Sequence, residues 1–287
     1  MESGYDERGS EIGTRFPLIS DMATSEKKAY FLSDMHLGAA YREDAREREM
    51  RVVRFLDSIR DSAAEIFLLG DVLDYWFEYK YVVPKGFVRF FGKLAELADS
   101  GIKITWLIGN HDIWIFDYIP NELGIRVVDG VLDERVFGTR IVMEHGDGVW
   151  QRDLKFKILR KIFRNKVCQK LFSGLHPRWT IPFANGWSGQ SRKSGSPKVE
   201  ARQRALEESR RNKESWLPEN IEALKKWCEN YSIMNPDVRY YLFGHLHQVV
   251  REKIGENAEM LVIGDWLTHF TYAEFDGEHL QLKKFEL

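Results

Sequence analysis

The chain has 287 residues, which fits one large domain or one domain with a sizeable insertion, and its 44% apolar and 30% charged residues are typical of a globular protein in water. No apolar run reaches the roughly 18 residues of a transmembrane helix, and no N-terminal segment combines a basic start, an apolar core and a small-residue cleavage site. The two cysteines, Cys168 and Cys228, form no CxxC pair, so a reducing cytosol is the default.

Residues 1–26 are polar and aperiodic, and are expected to form a tail outside the fold. Lys28–Ser33 then reads as a buried strand, Asp44–Arg60 as a helix, and Glu65–Leu69 as a second buried strand. Gly86–Asp99 reads as a helix ending near Gly101, and Ile102–Ile108 as a third strand. Further strands are expected at Arg126–Val128, Val131–Val136 and Arg140–Met143, the last two joined by a turn at Phe137-Gly138-Thr139. A basic, largely helical region follows. The net charge of −2 hides its asymmetry, because seventeen Lys and Arg against four acids between Gln151 and Lys213 leave +13 there and −15 elsewhere. Such a split marks a surface for an anionic partner. Strand character resumes at Arg239–Phe243, Gln248–Lys253, Glu259–Ile263, Phe270–Phe275 and Leu280–Phe285. The layout predicts an α/β sandwich over residues 27–287, with a helical cap inserted at about 150–235.

The chemistry sits where the strands stop. They deliver in turn Asp34-Met35-His36, Gly70-Asp71, Gly109-Asn110-His111-Asp112, His145-Gly146-Asp147 and Gly244-His245-Leu246-His247. Open α/β sheets bind ligands at the carboxyl ends of strands, so these groups can converge. Carboxylate, amide and imidazole without thiolate suit Mn²⁺, Fe or Zn²⁺. Seven candidate ligands are too many for one ion and suit two ions bridged by a carboxylate. Each motif alone is ordinary turn chemistry or a pair of surface histidines. Five in this order, each after an apolar strand, are not. Of the remaining histidines, His176 reads as structural, and His269 divides evenly between a loop residue and a substrate contact.

The motifs DMH, GD, GNHD, HGD and GHLH resemble the five signatures of calcineurin-like metallophosphoesterases. The resemblance implies two mixed sheets flanked by helices. It implies that Asp34, His36 and His247 hold one divalent ion, that Asn110, His145 and His245 hold the other, and that Asp71 bridges both. His111 would contact the phosphoryl group, with Asn110 beside it, and Asp112 and Asp147 would orient histidines and waters. The two ions would acidify a water for in-line attack on phosphorus.

A narrower resemblance is carried by Asp71-Val72-Leu73-Asp74-Tyr75-Trp76-Phe77-Glu78, Asn165-Lys166-Val167-Cys168, Leu175-His176-Pro177 and Gly264-Asp265-Trp266. These are similar to the UDP-2,3-diacylglucosamine pyrophosphatase branch, enzymes of lipid A synthesis that typically use Mn²⁺ and release UMP and a lipid phosphate. Some members of that branch carry Arg where this chain has His111. The branch implies a lipid-linked nucleotide substrate, a cytoplasmic protein bound peripherally at the inner face of the bacterial inner membrane, and no protein partner. Independently, Leu154–Leu175 places apolar residues four apart opposite a basic face, the pattern of one helix lying on an anionic membrane or packed on the domain below. Trp187–Lys193 is rich in donors, and Ser191, Arg192 and Lys193, with Asn110, His111 and His245, are the candidate substrate contacts. The rivals are a phosphoesterase for another nucleotide or for DNA, and a non-catalytic metal-dependent scaffold. Nucleic acid is disfavoured because the basic stretch interleaves aliphatic residues rather than stacking aromatics.

Overall fold

The apolar run at Lys28–Leu32 forms β1, whose alternate residues enter two different cores. Ala29 and Phe31 join one, and Tyr30 and Leu32 the other. A strand covered on both faces is apolar throughout rather than alternating, which makes it conspicuous in sequence. The computed structural model describes residues 27–39, 44–149, 154–212 and 216–286, so the expected tail over 1–26 lies outside the described residues.

After β1 come α1 (Ala45–Ser58), β2 (Ala63–Leu68), α2 (Val88–Asp99), β3 (Lys103–Leu107), α3 (Tyr118–Leu123), β4 (Arg126–Val128), β5 (Leu132–Val136) and β6 (Thr139–Glu144). The helices α4 (Leu154–Phe163), α5 (Lys166–Ser173), α6 (Pro177–Arg211) and α7 (Glu219–Met234) follow. The chain closes with β7 (Val238–Phe243), β8 (Val249–Ile254), β9 (Ala258–Ile263), β10 (Thr271–Phe275) and β11 (Leu280–Lys284). Every expected strand is present with ends within two residues, and the short helix α3 is additional.

The strands make two mixed sheets, ordered β11-β10-β1-β2-β3-β4 and β5-β6-β7-β9-β8. Strands β1 to β4 run parallel, as do β6, β7 and β9, while the antiparallel strands lie toward the edges. Phe31, Phe67 and Leu107 from the first sheet pack with Met143, Leu242 and Leu261 from the second, forming the central core. Helices α1 and α2 cover the outer face of the first sheet through Val52, Phe55, Leu56, Phe90 and Leu94. Asp44 caps α1 by accepting from the amides of Arg46 and Glu47. Glu49 of α1 accepts from the amides of Arg89 and Phe90 at the start of α2, where the residue before the helix offers no side-chain cap. Helix α7 covers the second sheet through Ile221, Leu224 and Cys228.

The single helix expected over Leu154–Leu175 is two helices. Asn165 ends the first turn pattern and caps α5, its side-chain oxygen accepting from the amides of Val167 and Cys168. The break splits the apolar stripe. Phe163 packs inward against Trp114, and Phe172 against Trp114 and Phe77. Ile158, Ile162, Val167 and Leu171 are exposed. Trp187–Lys193 lies within α6, and the side chains of Ser191, Arg192 and Lys193 lie outside the described residues. His176 caps α6, accepting from the Arg178 amide through Nδ1 at 3.1 Å.

Candidate metal centre

Because β1, β2 and β3 are parallel, and β6, β7 and β9 are parallel, each sheet brings three carboxyl ends to one edge. The loops there carry Asp34 and His36, Asp71, Asn110 and His111, His145, His245 and His247, and Asp265. The two edges meet. The His245 amide donates to Asp34 Oδ2 at 2.8 Å, and His36 Nε2 lies 3.3 Å from His247 Nε2.

The side chains gather into two groups that share one carboxylate. Asp34, His36 and His247 form the first, with His247 Nε2 at 3.4 Å and His36 Nε2 at 3.8 Å from Asp34 Oδ1. Asp71, His145 and His245 form the second. Asn110 Oδ1 joins it, 3.2 Å from His145 Nε2. Asp71 Oδ2 is 3.3 Å from His145 Nε2 and 3.7 Å from His36 Nε2, so one oxygen faces both groups. The structure thus brings together all seven residues expected as ligands.

These residues fit divalent cations by three independent signs. First, the tautomers are fixed. His145 Nδ1 donates to the Leu69 carbonyl at 2.8 Å, since a carbonyl can only accept, which leaves Nε2 as the atom directed toward Asp71 and Asn110. His247 Nδ1 donates to Asp265 Oδ2 at 2.9 Å, and His36 Nδ1 lies 3.2 Å from Asp74 Oδ1. Such partners behind the ring are usual for metal-binding imidazoles. Second, Asp34 is fully buried and its Oδ1 has no hydrogen-bond partner, an expensive state for a carboxylate unless a cation meets it. Third, the pocket attracts positive charge. Burial pulls the His247 imidazole down, yet Asp34 and Asp265 carry it up to about 9. Burial would push the Asp71 carboxyl up, but His145, His111 and His36 hold it well below its ordinary value. His245, where burial leads and His145 adds repulsion, falls to about 4.

The backbone is strained here. Asp34 (φ 54°), His36 (44°), Asp71 (51°), His245 (63°) and His247 (51°) are five of eight non-glycine residues with positive φ among the described residues. Left-handed backbone costs an L residue about 1–2 kcal/mol, and its concentration at the candidate ligands marks a functional constraint. Close approach explains two motif glycines. A Cβ on Gly109 would collide with Asp71 Oδ1, and one on Gly244 with Ser33 Oγ and Asp34 Oδ2.

The remaining expected residues have distinct places. His111 is part-exposed beside the first group. Its Nδ1 donates to the Asp74 carbonyl at 2.9 Å, and its amide donates to Asp71 Oδ1 at 2.8 Å. Asp112 is fully buried and accepts from the amides of Gly109 and Val72 and from Trp106 Nε1, so it holds the loop that carries Asn110. Asp147 is buried and pairs with Arg160 at 2.8 Å. His269 donates its amide to Asp265 Oδ1. The carboxylates behind the histidines are Asp74 and Asp265, which motif reading passed over. Asp265 follows an apolar strand as Gly264-Asp265, the same signal as Gly70-Asp71.

A family model described as calcineurin-like phosphoesterase matches residues 27–249. A UDP-2,3-diacylglucosamine hydrolase of Porphyromonas gingivalis is 37% identical over 261 residues, spanning 90% of this chain and 98% of that protein. One of Ralstonia nicotianae is 26% identical over 263 residues, 88% of each chain. One of Neisseria meningitidis serogroup B is 31% identical over 161 residues, 55% of this chain and 64% of that protein.

Proposed function

This chain belongs to the calcineurin-like phosphoesterase family, and from that premise we propose that it is a two-metal hydrolase of UDP-2,3-diacylglucosamine. It cleaves the pyrophosphate bond to give UMP and 2,3-diacylglucosamine 1-phosphate. The observation that carries the reading is Asp71 Oδ2 standing between two ligand groups, 3.3 Å from His145 Nε2 and 3.7 Å from His36 Nε2. The substrate follows from the relative that matches nearly its whole length.

Asp34, His36, His247 and Asp71 would hold one ion, and Asp71, Asn110, His145 and His245 the other, with Mn²⁺ as the physiological metal. When bound, two divalent ions supply positive charge against phosphoryl oxygens and acidify water. The protein adds orientation and proton control. The Asp74 carbonyl accepts from His111 Nδ1 and so orients the ring beside the first ligand group. From there His111 contacts a phosphoryl or leaving oxygen as charge grows on it. Asn110 presents its amide beside the same oxygens. Ser191, Arg192 and Lys193 on α6 supply contacts to the phosphate or uracil.

The lipid part falls to the helices between β6 and β7. Ile158, Ile162, Val167, Leu171, Leu175, Trp179 and Phe183 are exposed there, on the segment that carries the +13 surplus. Exposed apolar side chains on a strongly basic segment suit acyl chains and an anionic membrane face. Among the described residues no helix is long and apolar enough to cross a membrane, and the exposed apolar and basic side chains of these helices support peripheral attachment at the inner face of the inner membrane.

The test is a substrate panel. Metal-depleted protein should be silent, and Mn²⁺ should restore release of UMP from UDP-2,3-diacylglucosamine in detergent. Wild-type protein that cleaves bis-p-nitrophenyl phosphate well yet leaves the lipid nucleotide untouched would overturn the substrate. Replacing Lys161, Lys166 and Lys170 with Gln should weaken binding to anionic vesicles while sparing a small soluble diester. Equal binding would remove the membrane face.

A further inference from the structure

We infer that Arg160 is a positioning residue for the metal centre: from α4 it holds the His145 loop through Asp147, so the inserted helices help build one of the two metal positions. The inference rests on the two-metal reading of the site above.

The geometry is specific. Asp147 lies two residues beyond His145, is buried, and receives Arg160 Nε on Oδ2 at 2.8 Å. Its other oxygen, Oδ1, is buried without a hydrogen-bond partner. A second buried carboxylate, Glu144, stands on the other side of His145, accepting from the amides of Gly146 at 2.5 Å and Gly148 at 3.3 Å. The ligand histidine is therefore flanked in sequence by two buried acids, and Arg160 meets one of them, Asp147, from outside the loop. Buried carboxylates of like charge repel, and an opposed guanidinium at hydrogen-bond distance is what keeps such a loop in one arrangement.

Helix α4 cannot drift freely, because its far end is fixed too. Trp114, in the loop that also carries Asn110 and His111, donates its indole Nε1 to the Phe163 carbonyl at 3.0 Å, with the two rings 5.1 Å apart. Arg164 pairs with Asp129 in the loop after β4. One helix thus touches the loops of both Asn110 and His145, the two residues whose side chains lie 3.2 Å apart in the second ligand group. Nothing comparable ties α4 to Asp34, His36 or His247 among the described residues. Displacing α4 should disturb the second position and spare the first.

The experiment is a Mn²⁺ titration of metal-free full-length protein by calorimetry, which needs no substrate. Wild type should take two ions, and His145→Ala should abolish one step. Arg160→Gln should weaken that same step by about 10–100-fold, the usual effect of losing a group behind a ligand. It should leave the other step unchanged, and Arg160→Lys should recover part of the loss. Asp147→Asn should reproduce the loss, and adding Arg160→Gln to it should cost nothing more, because both changes break one link. A general packing role would instead lower the melting temperature and weaken both steps. If Arg160→Gln does not fold, Asp147→Asn still reads the link: an unchanged second step in that variant overturns the inference. So does a folded Arg160→Gln protein with wild-type affinities, or strict additivity of the two changes. Wild-type protein that binds no second ion would instead defeat the two-metal reading itself.

Discussion

Replacing Asp71 with Asn isolates the bridge. The left-handed backbone at this residue (φ 51°) suits Asn nearly as well as Asp, whereas Ala would add strain. The His111 amide can keep its bond to the retained Oδ1. What changes is Oδ2, the oxygen that faces His145 and His36 at 3.3 and 3.7 Å. It becomes an uncharged donor pointed at two cations. At an effective dielectric near 20, two unit charges about 4 Å apart interact by about 4 kcal/mol, so each divalent ion forfeits about 8 kcal/mol in gross terms. If water restores half of that, about 4 kcal/mol remains, or about 10³-fold in affinity for each ion. The assay is metal content after dialysis, read beside turnover of UDP-2,3-diacylglucosamine. Both should collapse, and a melting temperature measured in chelator separates loss of metal from loss of the ion pairs that Asp71 makes with the histidines. An Asp71→Asn protein that retains two tightly held ions and near-normal turnover would refute the bridging assignment.

Other expectations are as concrete. His111→Ala should keep both metals and lose about 10²–10³ in kcat, the typical effect of removing one transition-state contact; loss of an ion would make it a ligand, and an unchanged kcat would remove it from the mechanism. Asp265→Asn should cost about 10–100-fold in affinity at the position His247 serves, because the partner of Nδ1 changes; unchanged binding would show the pair to be incidental. Gly244→Ala should abolish tight binding and lower the melting temperature, since its Cβ would collide with Ser33 and Asp34; a variant with normal metal content would mean the loop relaxes. Away from the site, burial would push the Glu274 carboxyl up, but Lys283 and Lys28 hold it below its ordinary value. A carboxyl depressed in the folded state adds stability that is present above its unfolded pKa of about 4.3 and lost as pH falls through the folded value. Chemical denaturation of Glu274→Gln should therefore show a smaller loss of stability than wild type between neutral pH and acid, and parallel curves would contradict this.

The candidate ligands are legible in the sequence because burial and chemistry coincide at strand ends. Strands β1, β2, β3, β6 and β7 are apolar on both faces, so each is a run that stops abruptly at the polar group it delivers. Asp74 is harder to read, because it lies in a loop with no period and stands behind the rings of His36 and His111. Asp265 was readable in hindsight from β9, an apolar strand ending in Gly-Asp. The inserted helices misled for a different reason. Spacings of four continue across Arg164 and Asn165, so the pattern carries no trace of the break, and only the Asn165 cap reveals it. Within α6, Pro182 and Pro197 sit inside a helix that propensity would have ended. Contacts such as Tyr79 Oη with Thr180 Oγ1 at 2.5 Å tie the start of that helix to the domain.

Anomalous diffraction from crystals grown with Mn²⁺ tests the central claim most directly. Two peaks are predicted, about 3.5–4 Å apart, with Asp71 between them, Asp34, His36 and His247 around one, and Asn110, His145 and His245 around the other. A single peak, or two peaks that do not share Asp71, would contradict it.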